Sequence, residues 1–317
     1  VGYQSLYDNT TGVRNSAYGD NSLANNTTAN NNNAFGYLSL FTNTTGTANV
    51  AMGTEALVSN TTASNNTAVG YQAGYTNTSG AVNSAFGLQA LYSNTTANNN
   101  SAFGALSLYS NTTGTANTAV GREALTANTT AAGSVAVGYQ AAYSTTTGTN
   151  NLAVGNQSLL SNTTGINNIA VGSLALYNST GTANTAIGAN SLQANTTASN
   201  NIAVGYQAGL GLTTGSNCIF IGKGATESAV GTSNQTVLGT GVTCVGDSNF
   251  TFGGGSTDSN IAFGATSISA PSDQRYKEDI ADATAGLSFI KDLRPVTFKW
   301  KKEKDLPTSH RAYVEGS

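Results

Sequence analysis

Charge is almost missing from most of this chain. Of 317 residues only 27 are Lys, Arg, Asp or Glu, far below the quarter usual in globular proteins. Residues 1–271 hold just ten of them: Asp8, Arg14, Asp20, Glu55, Arg122, Glu123, Lys223, Glu227, Asp247 and Asp258. The net charge of −3 gives no basic footprint, which argues against nucleic acid as a partner. Proline, tryptophan and histidine do not occur before Pro271; Pro295, Trp300, Pro307 and His310 all follow it. With no histidine and only scattered acids, residues 1–270 offer no catalytic constellation, and neither a metal nor a cofactor is expected. No apolar run approaches the roughly 20 residues of a membrane span, so membrane insertion of these residues is not expected; no signal peptide opens the chain, and export or anchoring signals would lie upstream. The two cysteines, Cys218 and Cys244, fit neither a metal-ligand pattern nor a disulfide framework. They read as buried free thiols, with a bridge between them left open.

What is present is repetition. A glycine falls at 2, 19, 36, 53, 70, 87, 104, 121, 138, 155 and 172, always 17 residues on; one step of 16 leads to Gly188, and steps of 17 resume to Gly205, Gly222 and Gly239. The missing residue lies in the turn Tyr177-Asn178-Ser179-Thr180. Alanine stands two before the glycine in all twelve repeats from Ala17 to Ala203. A large apolar residue stands one before it (Phe35, Met52, Val69, Phe86), and leucine recurs four after it (Leu23, Leu40, Leu57). An Asn-Thr-Thr turn follows, and another asparagine comes four before the next glycine (Asn49, Asn66, Asn83). A slower beat overlies this one: Gly-Tyr-Gln recurs at 2, 70, 138 and 205, and in the last three the leucine gives way to Gly74, Ala142 or Gly209. The sequence alone gives no reason for it. Val1-Gly2-Tyr3-Gln4 already lies inside a repeat, so a natural N-terminus upstream is expected.

Seventeen residues is too short for the common helical repeats, which need about 33. Asn, Thr and Gly are poor helix formers, and the apolar pieces are short and bounded by turn residues, as strands are. One coil of a β-solenoid accounts for these features: short strands pair with the coils above and below, and like residues stack over like. Strands about 4.8 Å apart would give a rod on the order of 65–70 Å. A coil this thin encloses little apolar volume, so each chain is expected to bury a face against its neighbours. If the large residue before the glycine points inward, the alanine column points outward and suits a three-fold axis; the opposite assignment stays open. The expected fold class is all-β: a trimeric parallel β-solenoid or β-roll rod over 1–239, a neck or cap over 240–270, and a small α+β C-terminal segment over 271–317.

The units Asn-Thr-Ala-Val-Gly-Tyr-Gln-Ala and Leu-Tyr-Ser-Asn-Thr-Thr-Gly resemble repeats of phage tail-fibre and bacterial surface proteins. Ala-Val-Gly with small polar spacers is similar to the head repeats of trimeric autotransporter adhesins, whose coils are shorter. The composition changes at Pro271. Leu287, Phe289, Ile290 and Leu293 fit a helix face ending before Pro295, and Val296, Phe298 and Trp300 alternate as in a half-buried strand. Ser272-Asp273, Arg275, Lys277, Ile280, Leu293-Arg294-Pro295-Val296, Phe298 and Trp300 resemble the start of the C-terminal intramolecular chaperone of endosialidase tailspikes. That resemblance implies a segment that trimerises, helps a β-rich fibre fold in register and is released by autoproteolysis at the Ser272-Asp273 junction. Ser272 would be the nucleophile and Lys277 its base. From the local residues alone, a helix-capping Ser272 and a solvated Lys277 are the favoured reading.

Other signals are weaker. Asn-x-Ser/Thr recurs in eleven coils (Asn9, Asn26, Asn43 and onward to Asn195) and reads as turn chemistry rather than glycosylation. Glu55, Glu123 and Glu227 read as not sharing a coil position, too dispersed for glycan cleavage. Tyr71, Tyr139 and Tyr206 share a ladder that would suit sugars or packing. The expectation is a homotrimeric fibre protein of a virion tail, involved in adhesion to a host surface glycan or receptor. The rivals are an extracellular bacterial adhesin stalk and, remotely, an ice-binding solenoid.

Overall fold

The computed structural model describes residues 1–254 and 258–265, all within the first of two compact units, Val1–Pro271 and Ser272–Ser317. The described residues form no helix. They make one 16-stranded sheet in which strands follow in sequence order, one strand per coil, from β1 (Ser16–Tyr18) to β14 (Thr236–Gly239) and β15 (Asn249–Gly253). Neighbours pair in parallel with like over like: Ala17 opposite Ala34, Ala34 opposite Ala51. The 16-residue step keeps this register, with Ala170 opposite Ala186. Only the last strand, β16 (Ser259–Ala262), runs antiparallel, against β15. It ends the parallel stack with a pairing that the repeat itself does not propagate. The helix expected near 287–293 and the strand at 296–300 lie outside the described residues.

Counting each coil from its glycine as position 1, leucine falls at 5, the turn asparagine at 8, the second asparagine at 14, alanine at 16 and the large apolar residue at 17. The strands show which side faces in. Ala34 is fully buried while Phe35 is exposed, and Ala51 and Met52 repeat the pattern. The inward-pointing large residue is therefore corrected: alanine points in and the large side chain points out. The reason is width. The alanine column faces the leucine column across the coil, and a Cβ placed on Gly74 would lie 2.9 Å from Leu57 Cδ2 and 3.9 Å from Ala68 Cβ. A ring at position 16 has no room there. Where Phe220 does replace alanine, position 5 is Gly209, whose added Cβ would lie 2.8 Å from the Phe220 ring.

A 17-residue coil also buries its own core, against the expectation that it needs its neighbours to do so. Leu23, Leu40, Leu108, Leu125 and Leu159 are completely buried within one chain. An alanine column therefore does not line an axis between chains. Burial of each leucine is worth about 1.5–3 kcal/mol, which offsets an unusual backbone: Leu23, Leu40 and Leu108 have φ of 48°, 51° and 49°, a left-handed conformation that costs bulky residues about 1–2 kcal/mol.

Asparagine supplies the rest of the interior. At position 8 the side-chain amides form a relay, each Nδ2 donating to Oδ1 of the asparagine one coil earlier: Asn26 to Asn9 (2.8 Å), Asn43 to Asn26 (3.0 Å), and so on to Asn128 on Asn111 (3.2 Å). Each Nδ2 also closes its own turn, as Asn43 does on the Gly46 carbonyl (2.9 Å). Thr145 interrupts the relay, and its Oγ1 is left without a partner; one coil past Asn162, Ser179 donates forward to Asn195 Oδ1 (2.9 Å) rather than back, which leaves Asn162 Oδ1 and Asn195 Nδ2 unpaired. At position 14, Oδ1 of Asn32 accepts the backbone N–H of Asn49 (2.9 Å), while Asn49 Nδ2 donates to the carbonyl of Ala63 (2.9 Å). Buried backbone groups must be paired, and these amides pair those that the three-residue strands cannot reach. The sequons are thus turn chemistry: Asn43, Asn60 and Asn94 are fully buried with Nδ2 engaged twice, and a glycan there would keep the coil from closing.

Candidate functional site

The side chains left outside the coil fall into ladders. At position 17, Tyr18 stacks on Phe35 (5.0 Å, 6°) and Phe86 on Phe103 (5.0 Å, 9°). At position 6, Tyr75, Tyr92 and Tyr109 stack at 4.9 and 5.1 Å, and burial pushes the Tyr92 phenol above its ordinary value, with the neighbouring tyrosines adding to it. Tyr71, Tyr139 and Tyr206 are exposed at position 2, as their shared ladder implied.

Position 3 explains part of the four-coil beat. Glu55 and Glu123 do share this position, which corrects their reading as unrelated, and each starts an amide chain. Gln72 Nε2 donates to Glu55 Oε2 (2.7 Å) and Gln89 to Gln72 Oε1 (2.8 Å). Gln140 donates to Glu123 Oε2 (2.7 Å) and Gln157 to Gln140 Oε1 (2.9 Å). The carboxylate can only accept, so it fixes the direction of its chain, and Leu38, Leu106 and Leu174 separate one chain from the next. Arg122 pairs with Glu123 (2.8 Å) and lies 5.9 Å from the centre of the Tyr139 ring. The Gln140 amide, then Arg122, hold the Glu123 carboxyl below its ordinary range. Its contribution to stability is therefore present at neutral pH and is lost as pH falls through the lowered folded value.

These acids do not make a hydrolytic pair. Four coils separate Glu55 from Glu123, about 19 Å at the strand spacing, whereas paired-carboxylate glycosidases need about 5–9.5 Å. Glu227 lies elsewhere, taking a hydrogen bond from Thr226 Oγ1 (3.0 Å). Among the described residues no His, Cys, Asp and Glu cluster has the makings of a metal site, and no helix is long and apolar enough to cross a membrane. An apolar hollow of about 350 Å³ opens beside the terminal hairpin, between Phe250, Ile261 and Phe263.

Cys218 and Cys244 are free and buried. Cys218 replaces asparagine at position 14, and burial pushes its thiol up. Both are expected to stay unlabelled by a maleimide in the native protein and to label fully in urea. Native labelling of either would show that the coil opens there.

The proposed nucleophile and base, Ser272 and Lys277, lie outside the described residues. What the described residues define is a class: a β-solenoid rod with hydrogen-bonded ladders inside, apolar ladders outside and no assembled reaction centre among them. Behind it, residues 272–313 match the model of the family described as the chaperone of endosialidase. The chain thus carries an endosialidase-type chaperone segment after a solenoid of 17-residue coils, and together these fit a structural protein of the phage tail-fibre type. No curated protein and no solved structure matches the chain.

Proposed function

We propose that this chain is the shaft of a homotrimeric tail fibre that takes part in host attachment, and that its C-terminal segment aligns three chains and then cuts itself off at Ser272-Asp273. The observation that carries this reading is the match to the endosialidase chaperone directly behind a rod whose every step looks alike. Identical coils pair one step out of register with little local penalty. Joining three chains at one end removes that ambiguity and lowers the entropic cost of long-range pairing. In the cleavage, the Ser272 hydroxyl is the nucleophile and Lys277, with a lowered pKa, takes its proton and passes it to the Asp273 amine as the Ser272-Asp273 peptide bond breaks; water then hydrolyses the ester and frees the hydroxyl. The shaft acts mechanically and presents its outward amides and the stacked tyrosines at position 6 to a surface glycan or receptor, outside the host cell.

The test is light scattering and intact mass of the protein with Ser272 and with Ser272→Ala. Three chains per particle, with a shaft shortened at Ser272 that Ser272→Ala restores to full length, is the expected result. Monomers throughout would end the fibre reading. An identical mass for both proteins would remove the cleavage step and leave the fibre reading standing.

A further inference from the structure

The strand leaves one long face of the rod unpartnered. Positions 15 and 17 point outward from the sheet and position 2 adjoins them. Of the 25 exposed large apolar side chains among the described residues, 18 lie at these three positions, Phe35, Met52, Phe103, Ile187 and Leu238 among them. The face carries only Asp20, Arg122 and Lys223 as charges. Elsewhere the surface is mainly Thr, Ser and Asn, with Thr28, Thr45, Thr62 and Thr113 exposed in one column at position 10.

We propose that this face, and not the alanine column, is where copies of this chain pack side by side, parallel and at the same height. The proposal rests on the trimeric reading above and adds the surface that carries it. Three observations favour a second copy as the occupant. The face repeats at every strand, about 4.8 Å apart, so only a partner of the same period meets each rung, and another copy has that period. Its size is sufficient: some 14 steps give a strip roughly 67 Å long, and about 12 Å of width makes roughly 800 Å² per copy, the contribution of one partner to a standard stable interface. The side chains are already ordered, since Tyr18 lies on Phe35 and Phe86 on Phe103 within the free chain, and docking ordered rings costs less side-chain entropy. The beat also gives the face a coarse register. Tyr71, Tyr139 and Tyr206 recur every fourth coil at position 2, so tyrosine meets tyrosine along the rod at equal height, and a one-coil slip loses that match.

Cross-linking tests the face. Val120→Cys lies on it at position 17, 38% exposed; Thr113→Cys lies on the polar face and is exposed. The native Cys218 and Cys244 are buried and do not compete. With a short bismaleimide, Val120→Cys is expected to give at least tenfold more covalent multimer than Thr113→Cys, in particles that light scattering shows to be multimeric. Multimeric particles that cross-link through Thr113→Cys and not through Val120→Cys would overturn the assigned face while the trimeric reading survives. Monomeric particles would overturn both.

Discussion

Gly104→Ala will unfold the middle of the rod. Gly104 has φ of 139°, where a residue with a side chain is strained by about 1–3 kcal/mol. Strain is the smaller part. An added Cβ would lie 2.5 Å from the carbonyl oxygen of Gly121 and 2.6 Å from its carbon, and both are backbone atoms of the next coil. Relief requires separating two coils, which breaks the pairing of Ser101 with Thr118 and of Phe103 with Val120. The expected loss exceeds about 4 kcal/mol, the range of severe core and backbone lesions. Circular dichroism on heating will show it as a large fall in the midpoint or as loss of folded protein. Gly254→Ala is the control: nothing lies within 4 Å of its added Cβ, and it should melt with the parent. An unchanged midpoint for Gly104→Ala would mean that consecutive coils are not as close as described.

The second large effect concerns one atom type. In Asn94→Asp the shape stays but the donor goes. Asn94 Nδ2 donates to Asn77 Oδ1 (2.7 Å) and to the Ala97 carbonyl (3.1 Å), while its Oδ1 accepts from Asn111 Nδ2 (3.0 Å). A carboxylate there keeps the acceptor, loses both donations and sets oxygen against oxygen at a fully buried site. Leaving buried groups unpaired costs about 1–3 kcal/mol each, more when charged, so a loss of about 3–5 kcal/mol is expected at pH 7. The sign with pH follows from burial, which raises the folded pKa of this carboxyl above the ordinary 3.9 or so. The penalty is full above the raised value and shrinks as pH falls toward the unfolded one, because the neutral acid regains a donor. Urea unfolding at pH 7 and pH 4.5 should therefore show the gap to the parent narrowing in acid. Asn94→Leu, which cannot titrate, should show a gap that stays constant. A constant gap for Asn94→Asp would show that the site is wet.

Much of this was legible in the sequence because a solenoid is nearly one-dimensional. A 17-residue period with alanine, glycine and leucine in fixed places specifies stacked coils, and the parallel register of Ala17 on Ala34 on Ala51 follows from the period alone. The amide relay left its signal as well, an asparagine at positions 8 and 14 in coil after coil. At position 8 that signal points first to local turn chemistry, because sequence spacing shows the bond from Asn43 to Gly46 more readily than the one to Asn26. The four-coil beat was visible but mute until Glu55, Gln72 and Gln89 could be seen passing one hydrogen bond along.

The inside and outside of the strand were not legible. Alternation states that Ala34 and Phe35 face opposite ways; it does not state which way is in. Burying the larger residue is the ordinary choice, since buried apolar area drives folding. The sequence by itself determined the period and the stacking of like on like, because both depend only on spacing. The tertiary structure alone decided the polarity of the sheet. The distance between the alanine and leucine columns is set by how tightly seventeen residues can close, and that gap admits a methyl group but not a ring.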